Sequence, residues 1–133
     1  MDYAMSTTVK RPFADTLEAT RNALVDQGFG VLTEIDMAAT LRTKLGADIP
    51  EQVILGACRP ALALAAVRAE PSVGVLLPCN VVVRAVDDTT VVEAMDPDVM
   101  VTMTSNDDLT GVASEARQRL SAALASLGTP DVA

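Results

Sequence analysis

The stretch Ile54–Val83, ILGACRPALALAAVRAEPSVGVLLPCNVVV, decides how the rest of the chain is read. It opens on an apolar run that, with its left flank, reads as a strand from Gln52 to Ala57. Gly56 inside it marks a bend or a close backbone approach. Arg59 to Glu70 is an Ala/Leu segment that reads as a helix, with Pro60 suited to the first turn and Pro71 ending it. Val73 to Leu77 reads as extended or loop, and Asn80 to Val86 as another strand. The stretch holds both cysteines of the chain and three of its seven prolines. The helix is apolar nearly all round, with Arg68 as its one charge before Glu70, and such a helix is covered on more than one side. In a chain of 133 residues a second copy is the simplest cover, so a homodimer is expected.

Working back from this stretch, Tyr3 to Val9 alternates weakly and is rich in Thr, as a first strand would be. From Pro12 the apolar spacing turns helical through Phe13, Leu17 and Leu24, and Gly28 is a suitable stop. Gly30 to Ile35 reads as a second strand. Asp36 is placed to cap a helix from Met37 to Leu45, closed by Gly46. Working forward, Thr90 to Ala94 pairs with Asn80 to Val86 across a tight turn at Asp87-Asp88-Thr89. Val99 to Met103 reads as a short extended piece. Asn106 or a neighbour caps a last helix, whose stripe runs Leu109, Val112, Ala113, Ala116, Leu120, Ala123, Leu124 and Leu127, with Gly128 and Pro130 ending it.

The expected order is therefore β-α-β-α-β-α-β-β-α. It implies an α+β fold, a two-layer sandwich with a mixed sheet of about five strands, in a single domain spanning residues 1–133. No Gly-rich strand-to-helix turn of the Rossmann or P-loop kind is present, which argues against a doubly wound fold.

Composition excludes several functions. The net charge is −8 and no basic cluster offers phosphate contacts, so neither nucleic acid nor an anionic membrane is an expected partner. Seven Asp/Glu and no Lys or Arg lie between Ala85 and Asp108, and read as a solvated acidic edge. Histidine is absent. That removes the commonest general base and transition-metal ligand, and with them the usual triads and zinc hydrolase motifs. No cofactor and no catalytic residue is expected. Met1-Asp2-Tyr3 does not begin a signal peptide, and no uncharged run is long enough to cross a bilayer. A cytoplasmic location follows, with both cysteines as free thiols.

What chemistry remains gathers at the ends of the opening stretch. Cys58 stands where a strand gives way to a helix, beside Arg59. Both the helix N-terminus and the guanidinium favour a thiolate, and together they resemble an anion pocket. Cys79 and Asn80 stand at a second junction. If the two strand ends lie side by side, the thiols meet. The hypothesis is a pocket in which Cys58 is the reactive thiol, Arg59 binds an anionic group and Asn80 orients it, with Glu34 as an additional candidate. Plain packing is the competing reading, since free Cys often behaves as a small hydrophobe. A structural or interaction module is the alternative class. A third reading, binding of Cu(I), rests on Met95, Met100 and Met103 lying downstream of the cysteines, because thiolate and thioether donors suit that ion.

Three motifs carry a family resemblance. Gly28-Phe29-Gly30-Val31-Leu32-Thr33-Glu34-Ile35-Asp36, Ile54-Leu55-Gly56-Ala57-Cys58-Arg59-Pro60 and Leu76-Leu77-Pro78-Cys79-Asn80-Val81 resemble, in this order, the family called domain of unknown function 302. The resemblance covers nearly the whole chain. It implies a small, dimeric α/β domain of prokaryotic origin, and it implies no activity and no catalytic residues. The family pattern tends to have Asn where this chain has Arg59, so a ligand contact there would be altered towards anionic groups or lost.

Overall fold

The computed structural model describes residues 2–128. The elements are β1 (Ala4–Val9), α1 (Phe13–Asp26), β2 (Gly30–Asp36), α2 (Met37–Leu45), β3 (Gln52–Cys58), α3 (Pro60–Ala69), β4 (Cys79–Val86), β5 (Thr89–Met95), α4 (Asp98–Thr104) and α5 (Thr110–Gly128), with 3-10 segments at Pro71–Leu76 and Asp107–Leu109. The strands form one sheet in the order β1-β5-β4-β3-β2.

The two-layer α+β sandwich is as expected, but the sheet is antiparallel throughout rather than mixed. Alternating helices and strands suggested crossovers. Here α2 and α3 instead lie within long hairpin connections. β3 leaves the sheet at Cys58 and β4 re-enters beside it, with Ala57 paired to Cys79. Antiparallel neighbours need no crossover, so a helix can be inserted into the connection without changing the strand pairing.

Strand alternation sets the layers. Val53, Leu55, Ala57, Val81, Val83, Val92 and Ala94 are buried and face α1 and α5, whose Leu24, Leu120, Ala123, Leu124 and Leu127 complete the main core. Asn80, Val82 and Arg84 alternate with these residues and turn to the opposite face. Thr16 and Thr20 are buried on α1. Their hydroxyls donate to the carbonyls of Pro12 (3.0 Å) and Thr16 (2.7 Å), so neither is left unpaired.

Several local signals act as their chemistry requires. Asp36 Oδ1 accepts the Ala39 N–H at 2.9 Å, and Gly46 takes a left-handed φ of 65° to close α2. α1 ends differently: Gly28 adopts φ 83°, and the Phe29 N–H returns to the Leu24 carbonyl at 2.9 Å. Gly56 is a close approach, since a Cβ there would collide with the Thr33 hydroxyl and the Pro78 ring.

Three local expectations change. The Val99–Met103 stretch is helical, within α4. Asp96 Oδ1 accepts the Asp98 N–H at 3.0 Å, and burial of Val99 and Met100 outweighs the strand preference of a Val/Thr run. The Thr102 and Thr104 hydroxyls donate back to carbonyls one turn earlier. Val73–Leu77 is largely a 3-10 segment, begun by Pro71 and anchored by buried Val73. Asn106 opens the short Asp107–Leu109 turn ahead of α5 rather than α5 itself. Its Oδ1 accepts the Asp108 N–H, while its amide donates to the Ala69 carbonyl at 3.1 Å and to Glu70 Oε1 at 3.0 Å. Pro130 lies outside the described residues.

A second, smaller core forms where α3, α4 and the 3-10 segments meet α5, around Ala66, Val73, Met100, Leu109 and Ala113. In α3 itself only Ala66 is buried, while Leu64 is 51% and Val67 43% exposed.

Candidate functional site

Between the two cores lies a cavity of about 30 Å³, room for one or two water-sized atoms. Its walls include Cys58 at the end of β3, Cys79 at the start of β4, Arg59 at the head of α3, and Met100 of α4. The antiparallel return of β4 beside β3 puts the two cysteines at one end of one strand pair. The rest of the wall is apolar, from Phe29 and Leu77 to Ala116. Both cysteines are free thiols.

Cys79 is 7% exposed. Burial first, and then the nearby Cys58 thiol, push its pKa up from 9.0 to about 11. Its thiol is protonated at neutral pH and is the inert member of the pair. Cys58 is half-buried and is the more accessible thiol.

Arg59 is anchored elsewhere. Its Nη1 donates to Glu115 Oε2 of α5 at 2.7 Å, and its Nε is buried without a hydrogen-bond partner. Gly28 makes room for this guanidinium, since a Cβ at that position would stand 2.9 Å from Arg59 Nε. An anionic ligand at Arg59 would therefore compete with the Glu115 carboxylate for the charge of the guanidinium. That competition favours the thiol half of the candidate site over its anion half.

The structure brings Cys58, Arg59 and Cys79 together and separates the other two candidates. Asn80 is exposed on the opposite sheet face, in a groove with Tyr3, Val82, Glu93 and Met95. Glu34 lies on edge strand β2, where Arg21 of α1 donates to its Oε1 through Nε at 2.8 Å and Nη2 at 2.6 Å. Strand alternation explains the first placement, because Asn80 follows Cys79 and must point the other way. Glu34 instead shares the face of its partner Leu55 but lies out on the edge strand against Arg21. Two participants were not marked in the sequence as part of this arrangement. Glu115 meets Arg59 across 56 residues of chain, with no local pattern to reveal it. Gly28 carried a signal, but one for helix termination.

The acidic stretch is only partly a solvated edge. Arg84 Nε donates to Glu93 at 2.6 Å, and Arg117 Nε donates to Asp96 at 3.2 Å. Among the described residues, no three His, Cys, Asp or Glu side chains gather to hold a metal ion. No helix among them is long and apolar enough to cross a membrane.

The family model "Domain of unknown function DUF302" matches residues 5–127. Among solved structures, the chain is similar to an uncharacterized conserved protein DUF302 from Bacillus stearothermophilus. The two share 29% sequence identity and superpose with a TM-score of 0.89, over 96% of this chain and 99% of that one. No curated protein matches the chain.

Proposed function

The chain belongs to the DUF302 family, and because that name carries no activity, we propose a function from the cavity itself: a thiol-based binding domain. One observation carries the reading, namely that Cys58 and Cys79 line the same cavity although 21 positions apart in sequence. Cys58 is the accessible thiol that meets a ligand first. Cys79 is held neutral until a ligand replaces its proton. Arg59, tied to Glu115, flanks the pair as a positive group. The reducing cytoplasm is the setting in which both cysteines stay thiols.

The test is the reaction of the native protein with a small methanethiosulfonate, followed by mass spectrometry. Cys58 reacts under native conditions, more slowly than a free thiol. If both cysteines stay inert until denaturant is added, the site reading fails.

A second reading concerns association and is favoured by α3. Its Leu64 and Val67, together with Val75 at 87% exposure in the following 3-10 segment, leave apolar surface uncovered by the described elements of the chain. A second copy of the chain is the proposed cover. Light scattering at micromolar concentration should give twice the chain mass for the wild type and the chain mass for Leu64→Glu/Val67→Glu. A monomeric wild type removes this reading.

A further inference from the structure

We propose that the cavity binds one soft monovalent metal ion, Cu(I), through Cys58, Cys79 and Met100. The proposal rests on the thiol-site reading above and names its ligand. Three sulfur side chains from β3, β4 and α4 line one cavity of about 30 Å³, a volume suited to a single ion rather than an organic molecule. Among the described residues, no His, Asp or Glu lines that cavity. The donor set is therefore sulfur alone. Thiolate and thioether ligands select Cu(I), whereas carboxylate and carbonyl oxygens suit Mg²⁺, Ca²⁺ and Mn²⁺. Structural zinc sites ordinarily take four Cys or His ligands, and the wall offers two cysteines and no imidazole.

The surroundings suit the charge that binding creates. As each Cu–S(thiolate) bond forms, a thiol gives its proton to solvent, and copper stays in the +1 state. Two thiolates and one Cu(I) leave the site with a single negative charge. Arg59 lines the same cavity, and its buried Nε has no hydrogen-bond partner. A guanidinium N–H is thus available beside a site that gains negative charge, where such donors are strongest. Met100 is 2% exposed, and the thioether of a neutral side chain adds a donor without adding charge. Met95 and Met103, weighed alongside it in the sequence, do not line the cavity.

The test uses the full chain, reduced and anaerobic, titrated with Cu(I) in competition with bicinchoninate. The expected result is one Cu(I) per chain, thiolate-to-copper charge-transfer absorption in the ultraviolet, and an X-ray absorption spectrum with sulfur as the only near neighbour. Cys58→Ser or Cys79→Ser weakens binding by more than the ~10–100-fold that loss of an outer partner costs a metal site, and Met100→Leu weakens it by about 10-fold. Circular dichroism of each variant separates loss of ligation from loss of folding, and Met100→Leu keeps the core volume. If Cu(I) is not retained while native Cys58 still reacts with the methanethiosulfonate, the metal inference is overturned and the thiol site stands. Retention of Cu(I) by both folded serine variants overturns it too. Inert cysteines with no Cu(I) uptake overturn both.

Discussion

Arg59 donates to Glu115 at 2.7 Å and thereby ties the head of α3 to α5 beside the two cysteines. The pair is only partly buried, at 24% and 45% side-chain exposure, so solvent screens it. A double-mutant cycle with Arg59→Ala and Glu115→Ala should return a coupling of about 1 kcal/mol or less. The larger effect is on access. Both single variants should raise the rate at which Cys58 is alkylated in the native state, measured against an unchanged far-ultraviolet spectrum.

Gly28 and Gly46 separate backbone strain from crowding. Both take a positive φ, yet a Cβ at Gly46 meets nothing within 4 Å, while one at Gly28 meets Arg59 Nε at 2.9 Å. Gly46→Ala should therefore cost only the left-handed penalty, about 1–2 kcal/mol. Gly28→Ala should cost more in urea unfolding, and the excess should disappear in the Arg59→Ala background. An equal cost at both glycines would show that Arg59 yields freely.

Cys79 gives the metal-free protein a signature at high pH. Because its folded pKa lies near 11 against an ordinary value of 9.0, the folded state keeps a proton that the unfolded state has lost between these values. Its contribution is fully present below pH 9 and is lost as pH rises towards 11, a decline of at most about 3 kcal/mol. Urea unfolding across this range should show a steeper decline for wild type than for Cys79→Ala, whatever their stabilities at neutral pH.

Gly56 tests the close approach beneath Pro78. Gly56→Ala would drive a methyl into the Thr33 hydroxyl and the Pro78 ring, an overpacking that costs about 1–3 kcal/mol. Thr33→Ala removes one of the two obstacles and should recover part of the loss in thermal melts.

The sequence carried most of the element boundaries because their signals are local. Asp36 and Gly46 bracket α2, Gly28 stops α1, and the stripe from Ala113 to Leu127 falls on the buried side of α5. Strand direction was not local: helices inside hairpin connections look like crossovers until pairings such as Ala57 with Cys79 are known. The α4 helix was hidden by its Val and Thr residues, and burial of Val99 and Met100 overrides their strand preference. For the site, the special residues marked at the two strand ends, Cys58 and Cys79, both line one cavity. The side on which Asn80 points depends on the pleat, and the partners of Glu34 and Arg59 come from other elements. No pattern within one segment reveals those pairings.

Trivalent arsenic reports whether Cys58 and Cys79 form one site, because a single arsenic atom bridges two thiols only when they are close. Native mass spectrometry after treatment with arsenite should show one arsenic bound per wild-type chain, and none on folded Cys58→Ser or Cys79→Ser. A wild-type chain that takes up no arsenic while it remains folded, or a serine variant that still does, would show that the two thiols do not form one site.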